Sequence, residues 1–106
     1  MAPRTKPLPD GTLVARRFLI RSLAGRGGMG EVYRARDQET GDEVALKLLH
    51  TDATSLDTER FAREARILSE IRHPRVVSYV AHGQSEEGAH FLAMQWLEGE
   101  DLAKRL

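Results

Sequence analysis

The chain of 106 residues carries 16 Lys and Arg against 16 Asp and Glu, so its formal net charge at pH 7 is zero. This balance argues against binding to nucleic acid or to an acidic membrane surface by bulk charge. The absence of cysteine excludes disulfides and thiolate metal sites, and no apolar run approaches the roughly 20 residues of a membrane-spanning helix. We expect a single small cytoplasmic domain with no membrane segment and no signal peptide.

The first 17 residues are predicted to form a flexible leader. Three of the four prolines, Pro3, Pro7 and Pro9, lie here among charged residues and glycine. A segment this polar and this rich in proline has few apolar side chains with which to pack. The folded domain is therefore expected to span residues 18–106.

Three strands joined by short turns are predicted next. Runs rich in β-branched, aromatic and aliphatic residues predict strands at residues 18–23, 31–36 and 43–49. Glycines separate the first two runs, and residues 37–42 have the composition of a turn. Connections this short predict that the three strands are antiparallel.

An amphipathic helix is predicted from residue 57 to residue 71. Its apolar positions recur at steps of three and four residues: Phe61, Ala65, Leu68 and Ile71. Thr54 and Asp57 have the spacing of a capping box at its start, with Ser55 as the alternative cap. Pro74 disfavours helical geometry at the residue before it, so the helix is expected to end there.

Two further strands, at residues 76–81 and 90–94, are predicted to complete the sheet, with a turn at residues 85–88 between them. Residues 95–99 are predicted to be a connector, and residues 100–106 the start of another helix with acidic residues in its first turn. The sequence thus predicts an α+β fold in which one helix packs against a five-stranded antiparallel sheet.

Glycines at positions 25, 27 and 30 have the spacing Gly-x-Gly-x-x-Gly. Because glycine has no Cβ, backbone N–H groups in such a loop approach a polyphosphate without a steric clash. Dinucleotide-binding sites share this spacing, but there a helix follows, with a ribose-binding acid near the offset of Asp52. Residues 31–36 show no helical stripe, which favours a strand and a loop that covers phosphates. An ordinary glycine-rich hairpin without a ligand stays open as the other interpretation.

Lys47 and Glu64 are the charged residues that the predicted fold brings toward this loop. Lys47 follows the apolar run Val44-Ala45-Leu46, one strand and one turn after the loop, so a hairpin would place its ammonium group beneath the same phosphates. Glu64 lies beside the buried stripe of the helix and is expected to face inward. The alternatives are an ammonium group in solvent and a Glu64 that pairs with Arg60 along the helix surface.

The pattern Gly-x-Gly-x-x-Gly-x-Val followed by Val-Ala-x-Lys resembles the N-terminal lobe of eukaryotic-like protein kinases. The sequence of residues 25–37 is similar to that of the bacterial, Hanks-type serine/threonine branch, and the resemblance covers residues 18–106. It implies a kinase-like N-lobe that ends at the hinge and at the start of the next helix. It also implies a catalytic pair in which Glu64 holds Lys47 for contact with the α- and β-phosphates of ATP.

The resemblance further implies an ATP site. Met94 would be the gatekeeper, residues 95–97 the hinge, Val32 and Ala45 the roof over the adenine, and Asp101 a ribose-binding acid. Ala24 departs from the family because a branched aliphatic residue is usual there. For Met94, Val32 and Ala45, plain core packing is the alternative. The full implied set is Ala24, Gly25, Arg26, Gly27, Gly28, Met29, Gly30, Val32, Ala45, Lys47, Met94, Gln95, Leu97 and Asp101.

The sequence contains no His-Arg-Asp, Asp-Phe-Gly or Ala-Pro-Glu, the motifs that supply the catalytic base, the Mg²⁺ ligands and the substrate platform in kinases. We therefore expect this chain to be an inactive N-lobe fragment of a serine/threonine kinase, truncated naturally or by a gene-model error. Its partners would be ATP, a C-lobe that holds most of the Mg²⁺ ligands and, in the parent, a protein substrate. A kinase-like scaffold module without catalysis is the alternative. The four histidines lack metal-binding spacing, so no metal site is predicted.

Overall fold

The computed structural model describes residues 7–26, 30–50, 54–70, 79–86 and 88–96, without the side chains of residues 68–70. Over these ranges the chain forms six strands and one helix: β1 (Leu13–Val14), β2 (Phe18–Arg26), β3 (Gly30–Asp37), β4 (Glu43–Leu49), α1 (Ser55–Glu70), β5 (Tyr79–Gln84) and β6 (His90–Gln95). The strands form one antiparallel sheet in the order β1-β2-β3-β4-β6-β5.

The predicted strands are all present, although their ends differ. β4 begins and ends as predicted, while β2, β3 and β6 are longer by one to three residues at their ends. β5 runs to Gln84 rather than ending at residue 81, because Gln84 pairs with His90 next to the tight turn between the two strands. The predicted start of β5 at residues 76–78, and the predicted helix at 100–106, lie outside the described residues.

The N-terminal segment differs from the expected flexible leader over its described part. Leu13 and Val14 form an edge strand on β2, which makes the sheet six-stranded rather than five-stranded. Leu8 packs against the core, and its backbone N–H donates to the Tyr33 hydroxyl at 2.9 Å. Leu8 and Val14 thus pack this segment against the core, despite its prolines.

The sheet buries apolar side chains on both faces, because alternate residues of a strand point to opposite sides. One face carries the larger core, which includes Phe18, Ile20, Tyr33, Leu46 and Phe91. On the other face, α1 packs against the sheet through a second cluster formed by Leu49, Phe61, Ala65, Leu92 and Met94. Lys47 belongs to this second face, since its neighbours Leu46 and Leu48 both belong to the first core.

Helix α1 begins at Ser55, two residues earlier than predicted, and Thr54 caps it. The Asp57 N–H donates to the Thr54 hydroxyl oxygen at 3.1 Å, and the Thr54 N–H donates to the Asp57 carboxylate at 3.4 Å. This reciprocal pair is the predicted capping box. Phe61 and Ala65 form the buried stripe, as predicted. The Leu68 side chain and residues 71–74 lie outside the described part of the chain.

Candidate functional site

Lys47 lies on the face of the sheet that packs against α1, and its side chain is 10% exposed. Its register partners are Val32 on β3 and Leu92 on β6, so apolar residues flank it on both sides. The ammonium nitrogen lies 5.8 Å from the centre of the Phe61 ring, which is within the range of a cation–π contact. The cation is therefore held between the sheet and the helix rather than extended into solvent.

Glu64 approaches Lys47 from the helix, with a distance of 3.8 Å between Glu64 Oε1 and Lys47 Nζ. Phe61 and Ala65 set the rotation of α1 by packing on the sheet, and this rotation puts Glu64 at the edge of the interface. The Glu64 side chain is 40% exposed, so water screens the pair. The pair therefore adds little to the stability of the fold, and its main effect is to orient the Lys47 side chain of β4 toward α1.

The first and third glycines of the loop occupy positions where β2, β3 and β4 meet. Gly25 is the register partner of Val32, which in turn pairs with Lys47, so the three form one row across the sheet. A Cβ at Gly30 would overlap with the Leu48 carbonyl oxygen. Gly30 is thus required by the close approach of β3 to β4. Residues 27–29, which include Gly27, Gly28 and Met29, lie outside the described residues.

Arg26 and Glu31 bracket the loop and pair with each other in the strand register. Arg26 Nη2 lies 3.6 Å from Glu31 Oε2, and the Glu31 side chain is fully buried. Glu31 pairs with Leu48, a residue of the first core, which puts the Arg26 and Glu31 side chains on the face opposite Lys47. Any contact of Arg26 with a ligand at Lys47 would therefore come from its backbone.

Val32, Ala45 and Met94, implied to line the adenine, are buried residues of the sheet. They are 7%, 0% and 1% exposed, and Met94 packs in the cluster that holds α1. Val32 pairs with Lys47. Ala45 lies two residues before Lys47 on β4 and pairs with Met94. Val32, Ala45 and Met94 therefore lie on the face that carries the lysine. In this structure they contribute to core packing, on the side where an adenine would have to lie.

Two of the remaining implied residues, Ala24 and Gln95, lie in β2 and at the end of β6. Ala24 is exposed and sits at a β-bulge, because the register shifts between Leu23 and Gly25. Gln95 is exposed at the end of β6, and the next residue, Trp96, donates its backbone N–H to the Glu43 carbonyl at 3.3 Å. Leu97 and Asp101 lie outside the described residues.

The sequence did not single out two features of the site. Phe61 was predicted only as a core residue, yet its ring contacts the Lys47 ammonium. Its position three residues before Glu64, on the same side of the helix, is the signal that would have found it. Glu31, on the opposite face, had no such signal, because a single carboxylate in a strand is normally expected to face solvent rather than to be buried.

The described residues contain neither a cluster of metal ligands nor a membrane-spanning helix. No group of three or more His, Asp or Glu side chains there is arranged to hold a metal ion. Within the same residues, no helix has the length and apolar character needed to cross a membrane.

Comparison with known proteins identifies the family. The family model of the Protein kinase domain matches residues 18–106. The chain is 42% identical over 99 residues to the DNA damage-responsive serine/threonine-protein kinase RqkA of Deinococcus radiodurans, covering 92% of this chain and 15% of that protein. It is 45% identical over 96 residues to the serine/threonine-protein kinase Pkn2 of Myxococcus xanthus, covering 89% of this chain and 11% of that protein. The chain belongs to the protein kinase family and covers the N-terminal portion of a kinase domain.

Solved structures agree with this assignment. The kinase domain of PknI from Mycobacterium tuberculosis superposes with a TM-score of 0.70 at 26% identity, covering 86% of this chain and 37% of that domain. Another kinase domain, 20% identical, gives a TM-score of 0.74 over 85% of this chain and 27% of that chain, and supports the fold alone. The predicted kinase-like N-lobe is confirmed.

Proposed function

We propose that this chain is the ATP-binding lobe of a serine/threonine protein kinase that transfers a phosphoryl group from Mg-ATP to Ser or Thr of a protein. The observation that carries the proposal is the Lys47–Glu64 pair, held at 3.8 Å between β4 and α1 in the row that contains Gly25 and Val32. Because the chain spans between 11% and 15% of the relatives described above, the activity belongs to the whole protein.

The face of the sheet that carries Lys47 combines a positive charge with apolar side chains, which are the properties that bind the phosphates and the base of a nucleotide. A largely buried ammonium group complements the charge of the α- and β-phosphates, and the buried side chains of Val32, Ala45 and Met94 offer an apolar surface to a flat base. In the proposed mechanism, Lys47 binds the phosphates, the loop from Gly25 to Gly30 covers them with backbone N–H groups, and Glu64 holds the lysine in place.

The lobe supplies position rather than covalent chemistry. Phosphoryl transfer depends on alignment and on neutralising the charge of the phosphates, and Mg²⁺, which in kinases is held mainly by the second lobe, supplies much of that neutralisation. Lys47, restrained in advance by Glu64 and Phe61, loses less freedom when a nucleotide binds than a solvated lysine would. The Ser or Thr of the protein substrate would bind to that second lobe. We propose the cytoplasm as the compartment of the reaction.

A titration with a non-hydrolysable Mg-ATP analogue tests the proposal. We expect Lys47→Met to weaken binding by about tenfold or more, because it removes a charge-assisted contact with the phosphates. The matched control is Lys6→Met, which makes the same change in the N-terminal segment and should leave the affinity nearly unchanged. Equal effects of the two substitutions would contradict the assigned site, and an absence of binding to the unmodified chain would favour a scaffold module.

A further inference from the structure

The turn between β1 and β2 adopts a conformation that its residues disfavour. Ala15 and Arg16 have φ angles of 54° and 57°, in the left-handed region. The Arg17 N–H donates to the Val14 carbonyl at 3.0 Å, which closes a β-turn with Ala15 and Arg16 at its centre, within the three-residue connection between β1 and β2. Asn and Gly are the usual residues at both central positions of such a turn, because side chains with a Cβ are strained there. Something outside the turn must stabilise this conformation.

Glu86, in the turn between β5 and β6, makes the contact that stabilises it. The Ala15 N–H donates to Glu86 Oε1 at 2.7 Å, across 71 positions of sequence. Hydrogen bonds from the backbone N–H of Glu86 itself, and then from those of Ala15 and Arg16, hold the pKa of the Glu86 carboxyl below its ordinary value. Consecutive N–H groups in such a turn converge on one point and favour an anion there.

Two backbone hydrogen bonds join the described residues on either side of Glu86. The Ser85 N–H donates to the Ala89 carbonyl at 2.8 Å, and the Gly88 N–H donates to the Ser85 carbonyl at 2.9 Å. Gly88 has a φ of 85°, which suits glycine. The connection between β5 and β6 thus positions the Glu86 carboxylate against the strained turn between β1 and β2.

Residues 7–14, here called the N-terminal arm, lie along β2 and lead into β1 and the turn of Ala15 and Arg16. The Gly11 N–H donates to the Ile20 carbonyl at 2.8 Å, and the Ile20 N–H donates to the Thr12 carbonyl at 2.8 Å. A cavity of about 210 Å³, lined by residues that include Leu8, Leu13, Leu48 and Ser85, separates the arm from the turn of Glu86. The arm thus leaves a gap on this side, and the Ala15–Glu86 hydrogen bond links the turn that follows the arm to the connection between β5 and β6.

We propose that Glu86 is a conformational latch whose carboxylate holds the Ala15–Arg16 turn in its left-handed form and so fastens the N-terminal arm and β1 to the sheet. When the hydrogen bond between Ala15 and Glu86 is broken, the turn relaxes. The arm and β1 then separate together from β2, while β3, β4 and β6 stay folded. Their release exposes the outer edge of β2 at Phe18 and Leu19, the residues that pair with β1. An open strand edge of this kind is a surface on which another strand can pair. The latch is independent of the proposed nucleotide site.

Amide hydrogen exchange of the full chain, read residue by residue, tests the latch. In Glu86→Ala, we expect the Gly11, Arg17 and Ile20 amides to exchange at least about tenfold faster, because a charge-assisted hydrogen bond is lost. The Leu46 amide in β4 should change by less than about twofold. Glu86→Gln, which keeps an acceptor without the charge, should give the same pattern at smaller size. Glu59→Ala, which removes an exposed carboxylate from α1, is the control and should leave all four amides unchanged.

Replacing the turn separates the latch from a general loss of stability. In an Ala15→Asn, Arg16→Gly background, the turn accepts the left-handed form without help, so Glu86→Ala should accelerate the arm amides by less than about threefold. Unchanged arm exchange in Glu86→Ala overturns the proposal, as does an equal acceleration at Leu46. An acceleration that is just as large in the Asn-Gly background also overturns it, because Glu86 would then act without the turn.

Discussion

Asp37, at the end of β3, is a fully buried carboxylate that Arg17 neutralises. Arg17 Nε and Nη2 donate to its two oxygens at 2.9 Å and 2.8 Å, and the Glu39 N–H donates to Oδ1 at 2.9 Å. The hydrogen bond from Arg17, ahead of those from the backbone, holds the pKa of the Asp37 carboxyl below its ordinary value. The two-point contact fastens the end of β3 to the residue just before β2.

The lowered pKa fixes how stability depends on pH. The unfolded chain takes up a proton on Asp37 near pH 4, whereas the folded chain does so at lower pH. The stabilisation is therefore complete above about pH 4 and is lost as the pH falls through the folded pKa. In urea unfolding at pH 7, Asp37→Asn should lower the free energy of unfolding by about 2–3 kcal/mol, with part of the acid sensitivity gone. Asp42→Asn, on an exposed residue of the same turn, should do neither.

Gly30 offers a second test at the level of one residue. A Cβ there would meet the backbone oxygen of Leu48, which has no flexible end with which to yield, so Gly30→Ala should cost about 1–3 kcal/mol or more of stability. At Gly83 a Cβ would lie 3.5 Å from the Phe91 ring, an ordinary contact. Gly83→Ala is therefore the matched control in thermal or urea unfolding. A loss as large in Gly83→Ala would mean that the close approach of β3 to β4 is not the cause.

Helix α1 links the fold to the proposed site, because its start and its rotation together position Glu64. Thr54→Ala removes the hydroxyl that accepts the Asp57 N–H and should lower the free energy of unfolding by about 1 kcal/mol. Ser55→Ala changes the first helical residue without touching that bond, and we expect a much smaller effect. Urea unfolding compares the two, and an equal loss would show that Thr54 does not act as the cap.

The sequence was sufficient to predict the elements whose apolar pattern is regular. β4 was predicted to the residue because its apolar run is bounded by turn residues, and the stripe of Phe61 and Ala65 predicted which side of α1 faces the sheet. That stripe predicted that Glu64 would face inward, and the resemblance to kinases implied that it would hold Lys47. In the structure the two side chains lie 3.8 Å apart.

Other features escaped prediction for definite physical reasons. β2 contains two register shifts, between Ile20 and Ser22 and between Leu23 and Gly25, so its faces do not follow a simple alternation. The position of Arg26 with Glu31, opposite Lys47, depends on those shifts. β1 has two residues and follows from a turn of Ala15 and Arg16, which no turn preference favours and which Glu86 stabilises from a distance in sequence.

At the scale of the whole molecule, the proposed function requires that three elements act on one ligand. The β2–β3 hairpin supplies the glycine loop, β4 supplies Lys47, and α1 supplies Glu64. Since the carboxylate lies against the lysine rather than at an independent position, Glu64 should influence a bound nucleotide through Lys47 alone. This dependence distinguishes a working site from three elements of a fold that meet without a ligand.

A double-mutant cycle in the Mg-ATP analogue titration measures that dependence directly. We expect Lys47→Met to weaken binding most, Glu64→Gln to weaken it less, and the double substitution to be no weaker than Lys47→Met, since the effect of Glu64 disappears with the lysine. The account predicts this strong non-additivity, with a coupling of about 1 kcal/mol or more. Independent, additive effects of the two substitutions, or a Lys47→Met variant that binds as well as the unmodified chain, would contradict it.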